Sequence, residues 1–222
     1  MSQTSLHQIK NQINIIQPRN ENQKRLFKSI RENKLTFAIG SAGSGKTCVT
    51  TYLALKYILE EKYGRIVITR PNIEAGVRLG YLPGSPSRKL TPFMIPIYDE
   101  MKNVLCNPHY FSALMDRNRE LVEILPLAFT RGRTFKDCFV IADEMSNATY
   151  DQLKMFLTRI GENCKIVITG DPTQSDLPGH KQGGLGIVLD KLSDCPDVGI
   201  VTFDEKDVVR SQLVQDILER LM

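Results

Sequence analysis

Runs of mainly apolar residues alternate with amphipathic stretches from about residue 20 to the end of the chain. Several of these runs are rich in Val, Ile and Thr, which predicts buried β-strands. The predicted strands occupy residues 35–39, 66–69, 121–125, 138–142, 165–169 and 199–203. Because most of the runs lack polar alternation, they are typical of parallel strands that helices cover on both sides.

Helical periodicity fills most of the intervals between these runs. Apolar residues three or four positions apart predict a first helix capped by Asn20 or Asn22, and further helices at 48–63, 96–105, 110–115, 150–160, 186–192 and 206–221. Strands and helices in alternation predict an α/β fold with a mostly parallel central sheet and helices on both faces. We expect one domain over residues 18–222, preceded by a polar segment at 1–17.

A glycine-rich loop lies between the first predicted strand and the helix at 48–63. Its spacing matches G-x-x-x-x-G-K-[ST], the P-loop motif, in which backbone N–H groups surround a phosphate. The motif's lysine reaches the β- and γ-phosphates, and its hydroxyl residue coordinates Mg²⁺. The predicted nucleotide-binding residues are therefore Gly40, Ser41, Ala42, Gly43, Ser44, Gly45, Lys46 and Thr47, with Lys46 also catalytic and Thr47 also a metal ligand.

Two carboxylates follow the predicted strand at 138–142. In open α/β sheets ligands bind at the carboxyl ends of the strands, so Asp143 and Glu144 are expected at the nucleotide. Asp143 is predicted to hold the Mg²⁺ shell, and Glu144 to polarise the attacking water.

Two glutamines are further candidates. The Gln23 side chain, upstream of the P-loop, either donates to and accepts from the adenine edge or is a solvated helix residue. Gln174, after the strand at 165–169, either senses the γ-phosphate or belongs to an ordinary turn made by Gly170 and Pro172.

Composition narrows the class of protein. A 222-residue chain with no apolar run near the length of a membrane span, and with no signal-peptide pattern at its start, is expected to be a soluble cytoplasmic protein without a membrane partner. Five scattered cysteines without a C-x-x-C pair predict free thiols. A net charge of +4 permits nucleic-acid binding without arguing for it.

The stretch from residue 70 to 96 is rich in proline and glycine and carries interleaved basic and aromatic residues. Its arginines could meet backbone phosphates and its rings could stack on bases, whereas the alternative is an ordinary solvated loop. The residues concerned are Arg70, Arg78, Arg88, Lys89, Tyr81 and Phe93.

Together these motifs resemble the PhoH-like (phosphate-starvation-inducible) P-loop ATPase family, which is related to superfamily-one helicases. The resemblance runs from about residue 18 to the C-terminus. It rests on segments 40–47, 79–84, 154–161 and 169–174, and on Thr69-Arg70-Pro71, Glu74-Ala75-Gly76, Arg131-Gly132-Arg133-Thr134, Asp143-Glu144 and Asp207-Val208-Val209-Arg210.

The resemblance implies a RecA-like core that hydrolyses ATP with Mg²⁺, often linked to RNA or single-stranded nucleic acid. The family usually has Asp-Glu-Ala-Gln after the apolar strand, whereas this chain has Ser146 at the fourth position and lacks that amide. The compact chain is similar to versions carried by bacteriophages, and neither a PIN nuclease nor an additional RNA-binding domain is carried over from longer relatives.

The chain is long enough for only one such core, so the group that stabilises charge in the transition state has still to be identified. Superfamily-one helicases place ATP between two cores, the second of which supplies arginines. We therefore expect a homo-oligomeric ring, a hexamer by resemblance to ring ATPases, with Arg210, Arg159, Arg133 or Arg131 acting within its own subunit or across the interface. The expected activity is a nucleic-acid-coupled, helicase-like ATPase; the alternative is a slow, nucleotide-controlled switch.

Overall fold

The computed structural model describes residues 9, 13–71, 94–116, 119–175, 177, 183–208 and 220. Within this part of the chain, six parallel strands form one sheet in the order β3-β2-β4-β5-β1-β6. Their bounds are β1 Leu35–Gly40, β2 Arg65–Thr69, β3 Val122–Ile124, β4 Cys138–Ala142, β5 Cys164–Gly170 and β6 Val198–Phe203. Every predicted strand is confirmed, and the described sheet is entirely parallel.

Helices cover both faces of this sheet. They are α1 Glu21–Glu32, α2 Lys46–Leu59, α3 Ile95–Leu105, α4 Pro108–Leu114, α5 Tyr150–Leu157 and α6 Leu185–Leu192. Short 3₁₀ turns span Leu127–Thr130, Met145–Asn147 and Glu205–Asp207. Of the two predicted caps for α1, Asn20 is the one found, because its side chain accepts the Gln23 N–H at 2.8 Å.

Alternate residues of each strand enter different hydrophobic cores. On β4, Phe139 and Ile141 pack with α1, α2 and α3, whereas Val140 and Ala142 pack with α5 and α6 on the opposite face. Successive side chains of a strand point to opposite faces of the sheet, and each face is covered by helices. Every position of the apolar run is therefore buried in one core or the other, which explains why these strands show no polar alternation.

Part of the predicted N-terminal segment packs on the first of these cores. Ile9 is fully buried, and Ile13 and Ile16 pack against the same cluster. The backbone N–H of Asn14 donates to the carbonyl of Val104 at 2.7 Å. Ile9, Ile13 and Ile16 thus contribute to the core although they precede the predicted domain.

The prediction of a helix from residue 206 is wrong at its start. Lys206 and Asp207 lie in the 3₁₀ turn Glu205–Asp207, where the Asp204 side chain accepts the Lys206 N–H and Asp207 accepts the Asp204 N–H. The turn ends at Val208, whose backbone is extended. Residues 209–219 of the predicted helix, Arg210 among them, lie outside the described residues.

Composition also led to predictions about the cysteines and about membrane-spanning segments. All five cysteines are free thiols, as predicted. No helix among the described residues is long and apolar enough to cross a membrane.

Candidate nucleotide-binding site

The carboxyl ends of β4, β5 and β1 are neighbours in the sheet and open into one cleft of about 420 Å³. Three parts of the chain line it: the P-loop after β1, the acids after β4 and the turn after β5. Lys46, Thr47, Asp143, Glu144 and Gln174 are among the lining residues, so the structure brings these predicted site residues together. This is the edge at which open α/β sheets bind ligands.

The P-loop glycines are required by the backbone. Gly40, Gly43 and Gly45 have φ of 123°, 82° and 85°, in the region that side chains disfavour. A Cβ on Gly45 would lie 2.5 Å from Gln23 Nε2, and one on Gly40 would lie 2.0 Å from the Phe203 carbonyl oxygen. The loop is therefore both left-handed and closely packed, which shapes it as an anion-binding concavity at the start of α2.

Lys46 is held inside this loop. Its Nζ donates to the carbonyl oxygens of Gly40 at 2.7 Å and Ser41 at 2.6 Å, and to Ser44 Oγ at 3.1 Å. The side chain is only 9% exposed. Burial lowers the pKa of Lys46, and the nearby carboxylates of Glu144, Asp171 and Asp143 act in the opposite direction. The ammonium is thus fixed at the P-loop, where the motif's lysine is predicted to meet the phosphates.

Asp143 is buried at the end of β4 with one oxygen already oriented. Thr169 Oγ1 on β5 donates to Asp143 Oδ1 at 2.7 Å. A hydrogen bond to a ligating carboxylate fixes its direction, as outer-shell partners do in metal sites. Thr169 was not predicted as a site residue, because only the pairing of β4 with β5 places its hydroxyl at Asp143.

The oxygen donors in the cleft suit Mg²⁺. Asp143 supplies a carboxylate and Thr47 a hydroxyl, both hard ligands. Among the described residues, no group of three or more His, Cys, Asp or Glu side chains could hold a metal ion. Mg²⁺ commonly binds through one or two carboxylates together with substrate phosphates and waters.

Glu144 has an unusual backbone and a half-exposed side chain. Its φ of 54° and ψ of 41° are left-handed, and its side chain is 49% exposed. Its N–H donates to Thr169 Oγ1 at 3.4 Å. A non-glycine residue in this region is a local strain that functional sites often retain. The turn directs Glu144 into the cleft beside Asp143, where a water-polarising group is predicted to lie.

Arg70 is a site residue whose position the sequence did not reveal. Its guanidinium lies 3.9 Å from Asp143 Oδ2 and 3.9 Å from Glu144 Oε1. The sequence indicated only that Arg70 begins a basic loop. The signal that could have located it is the order of the strands, since β2 lies next to β4 in the sheet.

Gln23 is buried, so the solvated-residue alternative is wrong. Only 5% exposed, it accepts the Arg19 N–H at Oε1 (2.8 Å) and donates from Nε2 to the Ser44 carbonyl oxygen (3.0 Å). An amide has a second hydrogen and a second lone pair, so both atoms can make further bonds. Gln23 ties α1 to the P-loop, and recognition of adenine stays a prediction.

Gln174 lies in a turn after β5 and also lines the cleft. Its N–H donates to the Asp171 carbonyl at 3.0 Å. Ser146 Oγ, which stands where the family usually has an amide, accepts the Asp171 N–H at 2.7 Å. This hydroxyl joins the turn after β5 to the acids after β4, and sensing of the γ-phosphate by Gln174 stays a prediction.

The remaining arginine candidates differ in their partners. Arg133 makes a two-point ion pair with Glu123, and the Arg159 Nε donates to the Met155 carbonyl at 3.2 Å. Arg131 is exposed. Arg210 lies outside the described residues, as do Arg78, Tyr81, Arg88, Lys89 and Phe93 of the predicted nucleic-acid loop.

Comparison with known sequences gives a family match over nearly the whole chain. The model of the PhoH-like protein family matches residues 15–221. The chain is 43% identical over 204 residues to a PhoH-like protein of Mycobacterium tuberculosis, covering 92% of this chain and 57% of that protein. It is 40% identical over 200 residues to Protein PhoH of Escherichia coli, covering 90% and 56%. The chain thus spans little more than half the length of these relatives.

Comparison with solved structures supports the fold. The large terminase of a thermophilic bacteriophage aligns with a TM-score of 0.59 at 12% sequence identity, over 93% of this chain and 51% of the terminase chain. At this identity the likeness concerns the fold alone, and it confirms the predicted RecA-like P-loop NTPase architecture.

Proposed function

Because the chain belongs to the PhoH-like protein family, as its motifs predicted, we propose that it hydrolyses ATP with Mg²⁺. The observation that supports this most directly is the convergence of Lys46, Asp143 and Glu144 on one cleft. A P-loop lysine alone indicates nucleotide binding. The second acid after β4 adds the group that hydrolysis requires, since the first is engaged in holding a metal.

The residues of the cleft divide the work as follows. The P-loop N–H groups and Lys46 bind and orient the phosphates. Gln23, whose Nε2 donates to the Ser44 carbonyl of the P-loop, binds the base. Thr47 and Asp143 hold Mg²⁺, which when bound neutralises charge on the phosphate oxygens. Glu144 orients the attacking water, and Gln174 responds to the γ-phosphate from the turn after β5.

Hydrolysis is further proposed to be coupled to RNA or single-stranded nucleic acid. The support is the basic and aromatic composition of the stretch 70–96, which begins with Arg70 beside the two acids. A ring of identical subunits, most simply a hexamer, would let an arginine of a neighbouring copy complete the site. Arg131, which is exposed, and Arg210, which lies outside the described residues, stay candidates for this role.

The experiment is steady-state release of phosphate from ATP, with and without single-stranded RNA, over a range of protein concentrations. The Glu144→Gln variant serves as the blank. Specific activity that rises with protein concentration and again with RNA supports a shared-site, nucleic-acid-coupled ATPase. Hydrolysis that responds to neither leaves the slow nucleotide-controlled switch. Transfer of phosphate to an acceptor instead of water would identify a kinase and overturn the proposal.

A further inference from the structure

Arg70 is fixed beside the acids of the cleft by the backbone on both of its sides. The strand β2 pairs with β4 so that Thr69 lies opposite Ala142, and the Asp143 N–H donates to the Thr69 carbonyl at 2.9 Å. The Arg70 carbonyl accepts the Leu127 N–H at 3.2 Å. The Cα of Arg70 therefore has little freedom, and its side chain is only 17% exposed.

The guanidinium faces both acids. One terminal nitrogen lies 3.9 Å from Asp143 Oδ2 and the other 3.9 Å from Glu144 Oε1. These separations are longer than hydrogen bonds, so the contacts act through charge. A planar guanidinium can address two carboxylates at once, which the single ammonium of a lysine cannot do in the same way.

The two oxygens of Asp143 consequently have different surroundings. Oδ1 accepts a hydrogen bond from the neutral Thr169 hydroxyl, whereas Oδ2 lies next to the positive charge of Arg70. A cation beside a carboxylate weakens the attraction of that carboxylate for a second cation. Arg70 therefore opposes the binding of Mg²⁺ at Asp143.

Glu144 has the opposite relation to Arg70. Its side chain is half exposed and extends from a left-handed turn, with Oε1 on the side of Arg70. The positive charge of Arg70 attracts the Glu144 carboxylate toward the side of Asp143. A general base must stay within reach of the water it polarises, and this attraction restricts where the carboxylate can be.

We propose that Arg70 is a positioning residue for ATP hydrolysis, which holds the Glu144 carboxylate in the cleft and competes with Mg²⁺ for Asp143. The inference rests on the proposed function for its catalytic half. The competition between Arg70 and Mg²⁺ for Asp143 concerns binding alone, so it is tested without ATP hydrolysis. Arg70 acts through the two acids and does not itself contact the reacting phosphate.

The variants Arg70→Gln and Arg70→Lys separate the two effects. Arg70→Gln removes the charge, so the Mg²⁺ concentration for half-maximal binding of a slowly hydrolysed ATP analogue should fall by about threefold or more. Its kcat should fall by about tenfold with little change in KM, because the base is no longer held. Arg70→Lys keeps the positive charge but lacks the planar guanidinium that faces two carboxylates at once. It should therefore retain the wild-type Mg²⁺ requirement and lose part of kcat.

Arg65→Gln is the matched control. Arg65 lies at the opposite end of the same strand, with its Nε 3.6 Å from Glu123 Oε2, so it shares the strand and the type of ion pair without contacting the cleft. We expect it to leave kcat and the Mg²⁺ requirement unchanged. If Arg65→Gln changed them as Arg70→Gln does, the effects would come from loss of strand stability and the proposal would fall.

A double variant tests whether Arg70 acts through Glu144. In single-turnover measurements, adding Arg70→Gln to Glu144→Gln should lower the residual rate by less than about twofold, because the residue being positioned is already absent. A full tenfold further loss would show that Arg70 acts on the phosphate directly, which overturns the proposal. An unchanged or higher Mg²⁺ requirement in Arg70→Gln would also overturn it.

The same experiments distinguish this inference from the proposed function. If the wild-type protein releases phosphate and Arg70→Gln equals it, only the role of Arg70 is wrong. If the wild-type protein releases none, the proposed function and the positioning of Glu144 fail together. In that case the titration with Mg²⁺ and the ATP analogue still decides the competition at Asp143.

Discussion

Replacing Gly45 by alanine tests whether the P-loop is shaped by backbone strain alone or also by its contact with Gln23. At a φ of 85°, an alanine is held in the left-handed region, which costs about 1–2 kcal/mol. Its Cβ would stand 2.5 Å from Gln23 Nε2 and would displace the bond to Ser44, which adds about 1 kcal/mol. Alanine also lowers the conformational entropy of the unfolded chain, which stabilises the folded protein by roughly 0.4–1 kcal/mol. We expect a net loss of about 2 kcal/mol in the free energy of unfolding.

Gly132→Ala provides the matched control for the strain. Gly132 has a similar φ of 78°, but a Cβ there would meet nothing within 4 Å. The free energy of unfolding, measured with urea, should therefore fall by about 1 kcal/mol less in Gly132→Ala than in Gly45→Ala.

Gln23→Ala isolates the contact. In that background the clash is absent and the bond is already lost, so Gly45→Ala should cost about 1 kcal/mol less than it does in the wild-type protein. If the two changes at positions 23 and 45 were additive within about 0.3 kcal/mol, the packing of Gln23 on the P-loop would contribute nothing, and the reasoning would be refuted.

Three further predictions concern the ligands and the fold. Lys46→Ala removes a charge-assisted phosphate contact, so binding of an ATP analogue should weaken at least tenfold in a fluorescence titration; unchanged affinity would contradict the role given to Lys46. Removing Arg88 and Lys89 should flatten the salt dependence of RNA binding, measured by filter retention, and leave hydrolysis without RNA as it was. Burial lowers the pKa of Lys165, whose Nζ donates to the Asn33 carbonyl at 2.6 Å, to about 8. Because the unfolded chain then binds the proton more tightly than the folded one, the free energy of unfolding should rise with pH above about 8. Lys165→Met, in urea titrations between about pH 7.5 and 9.5, should lack that rise, and an identical pH dependence would exclude Lys165 as its source.

The strands and the main motifs could be predicted from the sequence because each depends on neighbouring residues. The run 138–142 is apolar at every position, and the P-loop is one continuous segment. These signals are local, so they need no knowledge of which strands pair.

The contacts between separate segments could not be predicted in this way. Arg70 reaches Asp143 only because β2 pairs with β4, and Thr169 reaches it only because β5 pairs with β4 on the other side. Gln23 looked equally suited to solvent because burial of a helix residue depends on what the helix packs against. The start of the predicted C-terminal helix was wrong for a related reason. Asp207 bonds Asn22 at the start of α1 (2.7 Å), a partner 185 residues away.

The two hydroxyl bonds between the ends of β4 and β5 offer a practical means of observing the site. Thr169 joins Asp143, and Ser146 joins Asp171, so the exposed turn that continues to Ser175 is connected to the predicted metal ligand through short, directional bonds. A fluorescent label on a cysteine introduced at Ser175, after replacement of the three cysteines that are not buried, would lie outside the residues that line the cleft and should respond to its occupancy; these cysteines are Cys48, Cys106 and Cys195. Such a reporter would follow occupation of the cleft in real time while leaving the predicted nucleotide-binding residues unaltered.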